Sequence, residues 1–193
     1  PLISYSNGAG MALDFDGTDD YVDCGSDASL LGMSEFTLEA WVKPEANDVH
    51  RVIISNLGLY ASSGGYQLYT NGNSSTFGAM FRDQNYTDQG INGTTIFTPG
   101  EWYHLASTFI WDGNGTTQRF YVNGIEENSH YFDGLQMNYD NVSPLYIGSN
   151  MDGVPPGGPE LVREFYGNIE EVRIWNIARS EIEIQGQMDQ SIS

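Results

Sequence analysis

Short segments in which apolar and polar residues alternate recur along most of the chain. In residues 36–42, Phe36 and Leu38 share one side of an extended backbone, whereas Thr37 and Glu39 share the other. A period of two is typical of a β-strand with one buried face. Turn-forming residues separate such segments almost throughout, so the pattern predicts about a dozen short strands.

Turn sequences between these segments predict β-hairpins. We expect hairpins over residues 11–24, 65–82 and 119–125. The third contains Asn123-Gly124, the strongest short hairpin signal in the chain, because a two-residue turn of this type needs positive φ at both positions. Neighbouring strands in the sequence are therefore expected to pair in an antiparallel sense.

One segment near the end, residues 180–188, has a helical pattern instead. Ser180 stands at its start and Glu183 follows three residues later, which matches a capping box. Many short strands and one short helix exclude an alternating β–α arrangement. They predict an all-β fold, either a sandwich or a barrel.

The composition supports this fold class and bounds the number of domains. The chain has 193 residues, of which 23 are glycine and 12 are tyrosine, a mixture typical of many short strands joined by turns. All-β domains of this length are common, so we expect one domain over residues 1–193. Because the sequence begins abruptly at Pro1, we expect that domain to belong to a larger multidomain protein.

The charge balance narrows the expected partners. Seven lysine and arginine residues face 26 aspartate and glutamate residues, which gives a formal net charge of −19 at pH 7. Such a surface repels nucleic acid and anionic bilayers, so we expect neither as a partner. No apolar run approaches the roughly 18 residues of a membrane-spanning helix. The acidity favours a hard cation such as Ca²⁺, or it serves solubility alone.

The single cysteine, Cys24, excludes a disulfide within the chain. It lies next to an apolar segment without a neighbouring base that would activate a thiolate. We therefore expect a small buried side chain at this position.

Five segments in order resemble one family. They are ALDFDGTDDYV (12–22), FTLEAWVKP (36–44), GEWYHLA (100–106), FYVNG (120–124) and GNIEEVRIWN (167–176). Their order and spacing are similar to laminin G-like domains of the concanavalin A-like lectin superfamily, in the bacterial form. The resemblance implies a jelly-roll sandwich of two curved antiparallel sheets with one short C-terminal helix.

The resemblance also implies a class of function. Similar domains often bind carbohydrate, sometimes protein, and often through or beside Ca²⁺, as modules of large secreted enzymes or adhesins. We expect a non-catalytic, lectin-like module of a secreted or cell-surface protein. The alternative is a module for protein–protein adhesion or a structural spacer, since a fold does not fix a function.

Clustered carboxylates predict a metal site. Asp16, Asp19 and Asp20 lie in one turn, where they repel one another unless a cation or hydrogen bonds neutralise them. The resemblance places the strand that carries Glu170 beside the first strand, which leads into this turn, although similar sequences have aspartate at that position. We expect Ca²⁺ on these four residues. The alternative is that the carboxylates cap the turn and are otherwise solvated.

Aromatic and amide side chains in the loops predict a sugar site. Rings stack on the C–H faces of sugars, and amide, carboxylate or guanidinium groups hold the hydroxyls. The sharpest piece is the strand end and turn at residues 111–114. The alternative is that most rings lie in the core and that residues 82–88 form a solvated connection. The predicted ligand-binding residues are Trp111, Asp112, Asn114, Tyr139, Tyr66, Arg82 and Tyr86.

Catalytic machinery is not expected. Glycosidases need two carboxylates that face each other, and the adjacent Glu170 and Glu171 would point to opposite faces of a strand. The Glu-x-Asp-x-(x-)Glu strand of related enzymes is missing, as is a Gly-x-Ser-x-Gly elbow. The three histidines lack the spacing of zinc ligands. An enzyme with an unfamiliar site is the least favoured interpretation.

Overall fold

The structure is a computed structural model that describes residues 3–6, 10–30, 32–57, 64–138, 143–152 and 160–190. Within these ranges it contains fifteen strands, a 3₁₀ turn and one α-helix. They are β1 (Ile3–Ser6), β2 (Gly10–Asp16), β3 (Val22–Asp23), the 3₁₀ turn (Ala28–Leu30), β4 (Glu35–Pro44), β5 (Arg51–Ser55), β6 (Tyr66–Asn71), β7 (Thr76–Arg82), β8 (Asp88–Asn92), β9 (Tyr103–Trp111), β10 (Gly115–Val122), β11 (Ile125–Asp133), β12 (Tyr146–Ile147), β13 (Asn150–Asp152), β14 (Glu160–Val162), β15 (Tyr166–Trp175) and α1 (Glu181–Gln187).

Two antiparallel sheets form the sandwich. The larger has seven strands in the order β1-β2-β15-β4-β9-β10-β11, and the smaller has six in the order β3-β12-β5-β6-β7-β8. A separate two-stranded ribbon joins β13 to β14. The expected all-β sandwich with one short C-terminal helix is confirmed. In the part of the chain described, no helix is long and apolar enough to cross a bilayer.

The core lies between the two sheets and follows the alternation seen in the sequence. Phe36 and Leu38 of β4 point inward and are at most 1% exposed. Phe36 stacks on Phe109 of β9 at a centroid distance of 4.5 Å. Phe77 and Phe81 of β7 fill the core from the opposite sheet. Burying a side chain of this size contributes about 1.5–3 kcal/mol.

Two of the three predicted hairpins are confirmed. β6 and β7 pair across the turn that follows Asn71. β10 and β11 pair across Asn123-Gly124, whose φ angles of 50° and 76° lie in the left-handed region that this turn requires.

The first predicted hairpin is wrong. β2 pairs with β15 in the larger sheet, whereas β3 pairs with β12 in the smaller sheet. The turn at residues 17–20 therefore carries the chain from one sheet to the other. The expectation that Cys24 is buried is also wrong, because the residue follows β3 at the edge of the smaller sheet and is exposed.

The C-terminal segment, residues 176–190, covers the outer face of the larger sheet. Ser180 caps α1 and forms the predicted capping box with Glu183. Ile184 packs on Ala106 in a small apolar cluster of its own. At the end of the segment, the indole Nε1 of Trp41 donates to the carbonyl of Met188 at 2.7 Å.

A buried ion pair fixes this segment to β4. The Glu39 carboxylate has no exposed surface, and Arg179 Nη1 donates to its Oε1 at 2.7 Å. Arg173 lies 3.8 Å from Oε2. Arg179 Nη2 also donates to the carbonyl of Glu183 and to Gln187 Oε1, so the guanidinium joins the sheet to α1.

His104 of β9 lies beside this pair and is neutral at pH 7. Burial, together with the positive charges of Arg173 and Arg179, lowers its pKa from 6.5 to about 4. Glu39 Oε2 would favour the imidazolium, but it lies 4.0 Å from Nε2, beyond hydrogen-bond distance. The two guanidinium groups already offset the charge of Glu39, so burial is the main cause of the low His104 pKa.

We expect Arg179→Ala to lower the free energy of unfolding by about 3–5 kcal/mol, because it leaves Glu39 buried without its main partner. The measurement is urea denaturation at pH 7. The matched control is Arg119→Ala, which breaks an exposed pair with Glu126 and is expected to cost about 0–1 kcal/mol. Equal losses in the two variants would contradict the role of the buried pair.

Acid is expected to destabilise the fold through His104. Its pKa is 6.5 when unfolded and about 4 when folded, so the unfolded state binds more protons between these values and stability falls as pH falls through this range. Between about pH 7 and pH 4.5, His104→Asn should lose about 2–3 kcal/mol less unfolding free energy than the wild type. His130→Asn, at an exposed histidine on β11, should retain the wild-type slope.

Candidate functional site

One end of the sandwich gathers three loops, and we call it the upper rim. It consists of the β7–β8 loop (83–87), the β9–β10 turn (112–114) and the segment 134–138. The amide of Gly134 donates to the carbonyl of Asn114 at 2.8 Å. The amide of Gln84 donates to the carbonyl of Gln136 at 2.9 Å. The third segment therefore joins a turn of the larger sheet to a loop of the smaller one.

Strand β4 runs from one end of the larger sheet to the other. Its first residue, Glu35, pairs with Ile110, which adjoins the upper rim. Its last residue, Pro44, pairs with Gly167 at the start of β15. The turn that follows β2 lies at this second end, which we call the lower end, because Asp16 pairs with Tyr166.

Asp83 fixes the conformation of the β7–β8 loop, although it is not among the site residues predicted from the sequence. Its carboxylate is 1% exposed and accepts from the amides of Asn85 at 2.8 Å and Thr87 at 3.0 Å. Gln89 Nε2 donates to its other oxygen at 2.9 Å. An aspartate that begins a polar run between two strands is the signal that could have indicated this side-chain turn.

The loop displays Tyr86. Its backbone has φ of 61°, and its amide donates to the carbonyl of Asp83 at 2.9 Å. A residue with a Cβ in the left-handed region costs about 1–2 kcal/mol, which the hydrogen bonds to Asp83 offset. The ring of Tyr86 is 46% exposed, as expected for a predicted ligand-binding residue.

Two glutamines connect the sheets across the rim. Gln84 Oε1 accepts from the amide of Gln136 at 2.7 Å, and Gln84 Nε2 donates to the carbonyl of Gly134 at 2.8 Å. The side chain of Gln84 thus satisfies two backbone groups of the opposite segment. These bonds hold the loop and the segment 134–138 in one arrangement.

The β9–β10 turn is fixed by Asp112. Its Oδ1 accepts from the amides of Asn114 at 2.8 Å and Gly115 at 2.9 Å, and these bonds hold the pKa of the carboxyl below its usual range. The hydroxyl of Tyr131, whose ring is 42% exposed, lies 3.5 Å from the same oxygen. Asn114 is exposed, and Trp111 is half-buried.

Arg82 lies at the base of the rim and contacts a carboxylate. Its Nε donates to Asp88 Oδ1 at 2.7 Å, and its Nη2 donates to Oδ2 at 3.3 Å. The two residues pair across β7 and β8, so the strands hold the guanidinium and carboxylate in register. Five predicted ligand-binding residues therefore converge on the rim, namely Trp111, Asp112, Asn114, Arg82 and Tyr86.

Tyr66 belongs to the core instead of the rim. It is 2% exposed, and its ring lies 5.0 Å from that of Phe36. The alternation in β6 turns Tyr66 and Leu68 inward, so the ring has no exposed face for a ligand. Burial also raises the pKa of its hydroxyl. Tyr139, the remaining predicted residue, lies outside the described residues.

The predicted metal ligands lie at the lower end. Asp16 Oδ1 accepts from the amide of Thr18 at 2.8 Å, and Asp20 Oδ2 accepts from the amide of Asp16 at 3.0 Å. Both carboxylates therefore cap the turn. Asp19 in the same turn is exposed.

Glu170 does not join this turn. It is 8% exposed and lies four residues beyond Tyr166, the partner of Asp16. At about 3.3 Å per residue, the two positions are separated by roughly 13 Å along the strand. The expected pairing of this strand with β2 is present, but its register keeps Glu170 away from the Asp16 turn.

An arginine already lies beside the acidic turn. A Cβ built on Gly17 would lie 3.1 Å from Arg51 Nη1. Arg51 also forms an ion pair with Asp48, and its guanidinium lies 5.9 Å from the Tyr166 ring centroid. Across the described ranges, no three His, Cys, Asp or Glu side chains cluster closely enough to hold a metal ion. The four predicted carboxylates do not fit one calcium site, and calcium binding stays a prediction.

Comparison with curated proteins finds a relative of much greater length. The chain is 28% identical over 178 residues to pappalysin-1 of Mus musculus. The match covers 82% of this chain and 10% of pappalysin-1. The chain therefore spans about a tenth of this relative, and the similarity concerns one part of it.

Solved structures share the fold. A putative carbohydrate binding protein from Bacteroides ovatus matches with a TM-score of 0.71 and 20% identity, over 100% of this chain and 49% of that one. The CBM40 of the Ruminococcus gnavus IT-sialidase, bound to α2,3 sialyllactose, matches with a TM-score of 0.69 and 14% identity. That match covers 91% of this chain and 95% of the CBM40.

A laminin G family model, described as the concanavalin A-like lectin/glucanases superfamily, matches residues 16–185. This range includes the five segments that carry the resemblance, apart from the first few residues of the first segment. The two sheets and the single short helix agree with it. The chain therefore belongs to the laminin G-like family of the concanavalin A-like lectin/glucanase superfamily.

Proposed function

We propose that the chain is a non-catalytic carbohydrate-binding module and that the upper rim holds the glycan. The observation that carries the proposal is the convergence of exposed rings and amide groups on one end of a rigid sandwich. The structural relatives named above include a carbohydrate-binding module, which supports the same function.

The rim offers the two kinds of contact that a sugar needs. Tyr86 and Tyr131 present exposed rings, and Trp111 adds a half-buried one. Such rings stack on the C–H faces of a pyranose. The exposed side chain of Asn114 in the β9–β10 turn supplies donors and an acceptor for hydroxyl groups.

Hydrogen bonds within the protein hold the rim in one arrangement. Asp83 and Asp112 fix the two turns, and Gln84 holds the segment 134–138 against them. A glycan would therefore order few protein groups on binding, which lowers the entropic cost of association.

The rim carboxylates support binding over hydrolysis. Glycosidases use two carboxyl groups about 5–10 Å apart that face the scissile bond. Asp83 is buried, and both of its oxygens accept hydrogen bonds within the loop. Asp112 uses Oδ1 to hold backbone amides. These two groups act as loop supports.

We further propose that the module works outside the cell as part of a longer protein. The relative pappalysin-1 is about ten times longer than the matched segment. A single rim of this kind binds weakly, and repeated modules or a second site in the same protein would raise the overall affinity.

Adhesion to a protein is the second candidate function, because one observation favours it. Ile125 and Ile182 are 61% and 81% exposed near the lower end. The amide of Glu126 donates to Glu181 Oε1, which brings the neighbours of these two residues together. Two exposed apolar side chains on neighbouring elements suit a protein partner.

A glycan array tests the leading proposal. The wild type should bind a defined set of glycans, and Tyr86→Ala or Tyr131→Ala should weaken binding by about tenfold through loss of ring stacking. The matched control is Tyr166→Ala, which removes a similarly exposed ring, 42%, at the lower end. Circular dichroism would show that all three variants are folded.

Two results would contradict the proposal. Absence of binding across a broad array would favour the adhesion or spacer function. An equal loss in Tyr166→Ala and the rim variants would place the glycan elsewhere on the surface.

Calcium is tested separately at the acidic turn. If Asp16 binds Ca²⁺, the ion should raise the melting temperature of the wild type, and Asp16→Asn should remove most of that rise. The matched control is Asp27→Asn, since Asp27 is an exposed aspartate that caps a turn in the same way. Equal melting temperatures in Ca²⁺ and in EDTA for the wild type would exclude the site.

A further inference from the structure

Six of the seven cationic side chains of the chain contact a carboxylate. The sequence has seven lysine and arginine residues, and all of them lie within the described ranges. Arg163 has an interaction of its own. The other six each contact a carboxylate oxygen, in the pairs Lys43–Glu45 at 3.2 Å, Arg51–Asp48 at 3.1 Å, Arg82–Asp88 at 2.7 Å, Arg119–Glu126 at 2.9 Å, Arg173–Glu171 at 2.8 Å and Arg179–Glu39 at 2.7 Å.

At the upper rim this leaves negative charge facing solvent. Asp112 is exposed in the β9–β10 turn, and Asp133 is exposed opposite Gly115 at the end of β11. Glu35 is exposed on the strand next to Ile110. Asp112 and Asp133 lie close enough to Tyr131 to act on it electrostatically, so negative charge adjoins a ring that would contact a sugar.

The cation nearest to the rim, Arg82, is held by Asp88 through two hydrogen bonds. Proteins usually recognise a carboxylate or sulfate with an arginine fork. An acidic sugar could recruit Arg82 only by displacing Asp88, whose charge would then repel the ligand.

We propose that the upper rim selects glycans without acidic groups, such as neutral or amino sugars, and rejects carboxylated or sulfated ones. This inference rests on the proposed carbohydrate-binding function and specifies its ligand class. It separates the chain from the Ruminococcus gnavus module, which is bound to the acidic trisaccharide α2,3 sialyllactose and has 14% identity to this chain.

The test uses pairs of glycans that differ in one acidic group. Suitable probes are lactose with α2,3 sialyllactose, and methyl-esterified with unesterified polygalacturonate, each immobilised at equal density. At low ionic strength we expect the uncharged member of a bound pair to bind at least about tenfold better. Discrimination should fall at higher salt, because the screening length shrinks to about 10 Å at 0.1 M.

Two matched variants test the role of Arg82. Asp88→Asn removes the carboxylate that engages it, so the ratio of acidic to neutral binding should rise about threefold to tenfold. Glu126→Gln makes the same change in net charge and disengages Arg119 near the lower end, so it should leave that ratio unchanged. Both substitutions are made in surface ion pairs, so the two variants should be equally stable.

The outcomes separate this inference from the proposed function. Binding of neutral glycans with exclusion of their acidic counterparts supports both. Equal or stronger binding of the acidic member overturns the inference and leaves the carbohydrate-binding function standing. Absence of binding to every probe overturns both. An equal rise for Asp88→Asn and Glu126→Gln would overturn the role of the Arg82 pair.

Discussion

A carboxylate without exposed surface, that of Glu39, lies at the middle of the outer face of the larger sheet. An isolated charge in this position would cost several kcal/mol, so the fold depends on the guanidinium of Arg179 reaching it. That contact needs the C-terminal segment to cross β4 and α1 to begin at its cap. The ion pair thus links the last residues of the chain to a central strand, and the neutral His104 beside it makes the link sensitive to acid.

Carboxylates hold turns at both ends of the sandwich. At the upper rim, Asp83 and Asp112 accept backbone amides and hold turns that expose rings and amide groups. At the lower end, Asp16 and Asp20 cap the crossing between sheets beside the guanidinium of Arg51. Aspartate in a turn is therefore structural at both ends, and the difference in function comes from the side chains that each turn displays.

Local signals predicted what local interactions determine. Asn123-Gly124 forms a hairpin because its turn requires positive φ, and no distant residue is needed. The Asp16 turn also carried a hairpin signal, yet it joins two sheets because β15, which pairs with β2, and β12, which pairs with β3, lie far away in sequence. Tyr66 and Tyr86 are the same residue type. Which of the two rings is buried and which is exposed depends on the tertiary structure. The register between β2 and β15 likewise separates Glu170 from Asp16.

The bonds that shape the β7–β8 loop have a consequence for variation. Asp83 binds the backbone amides of Asn85 and Thr87, which every residue except proline carries. The loop conformation is thus largely independent of the side chains at 85 and 87, whereas position 86, with φ of 61°, needs a residue that tolerates the left-handed region. Positions 85 and 87 are therefore suited to randomisation. A library of variants at these positions, with Asp83 kept, would change the side chains on the loop surface while the sandwich beneath stays the same.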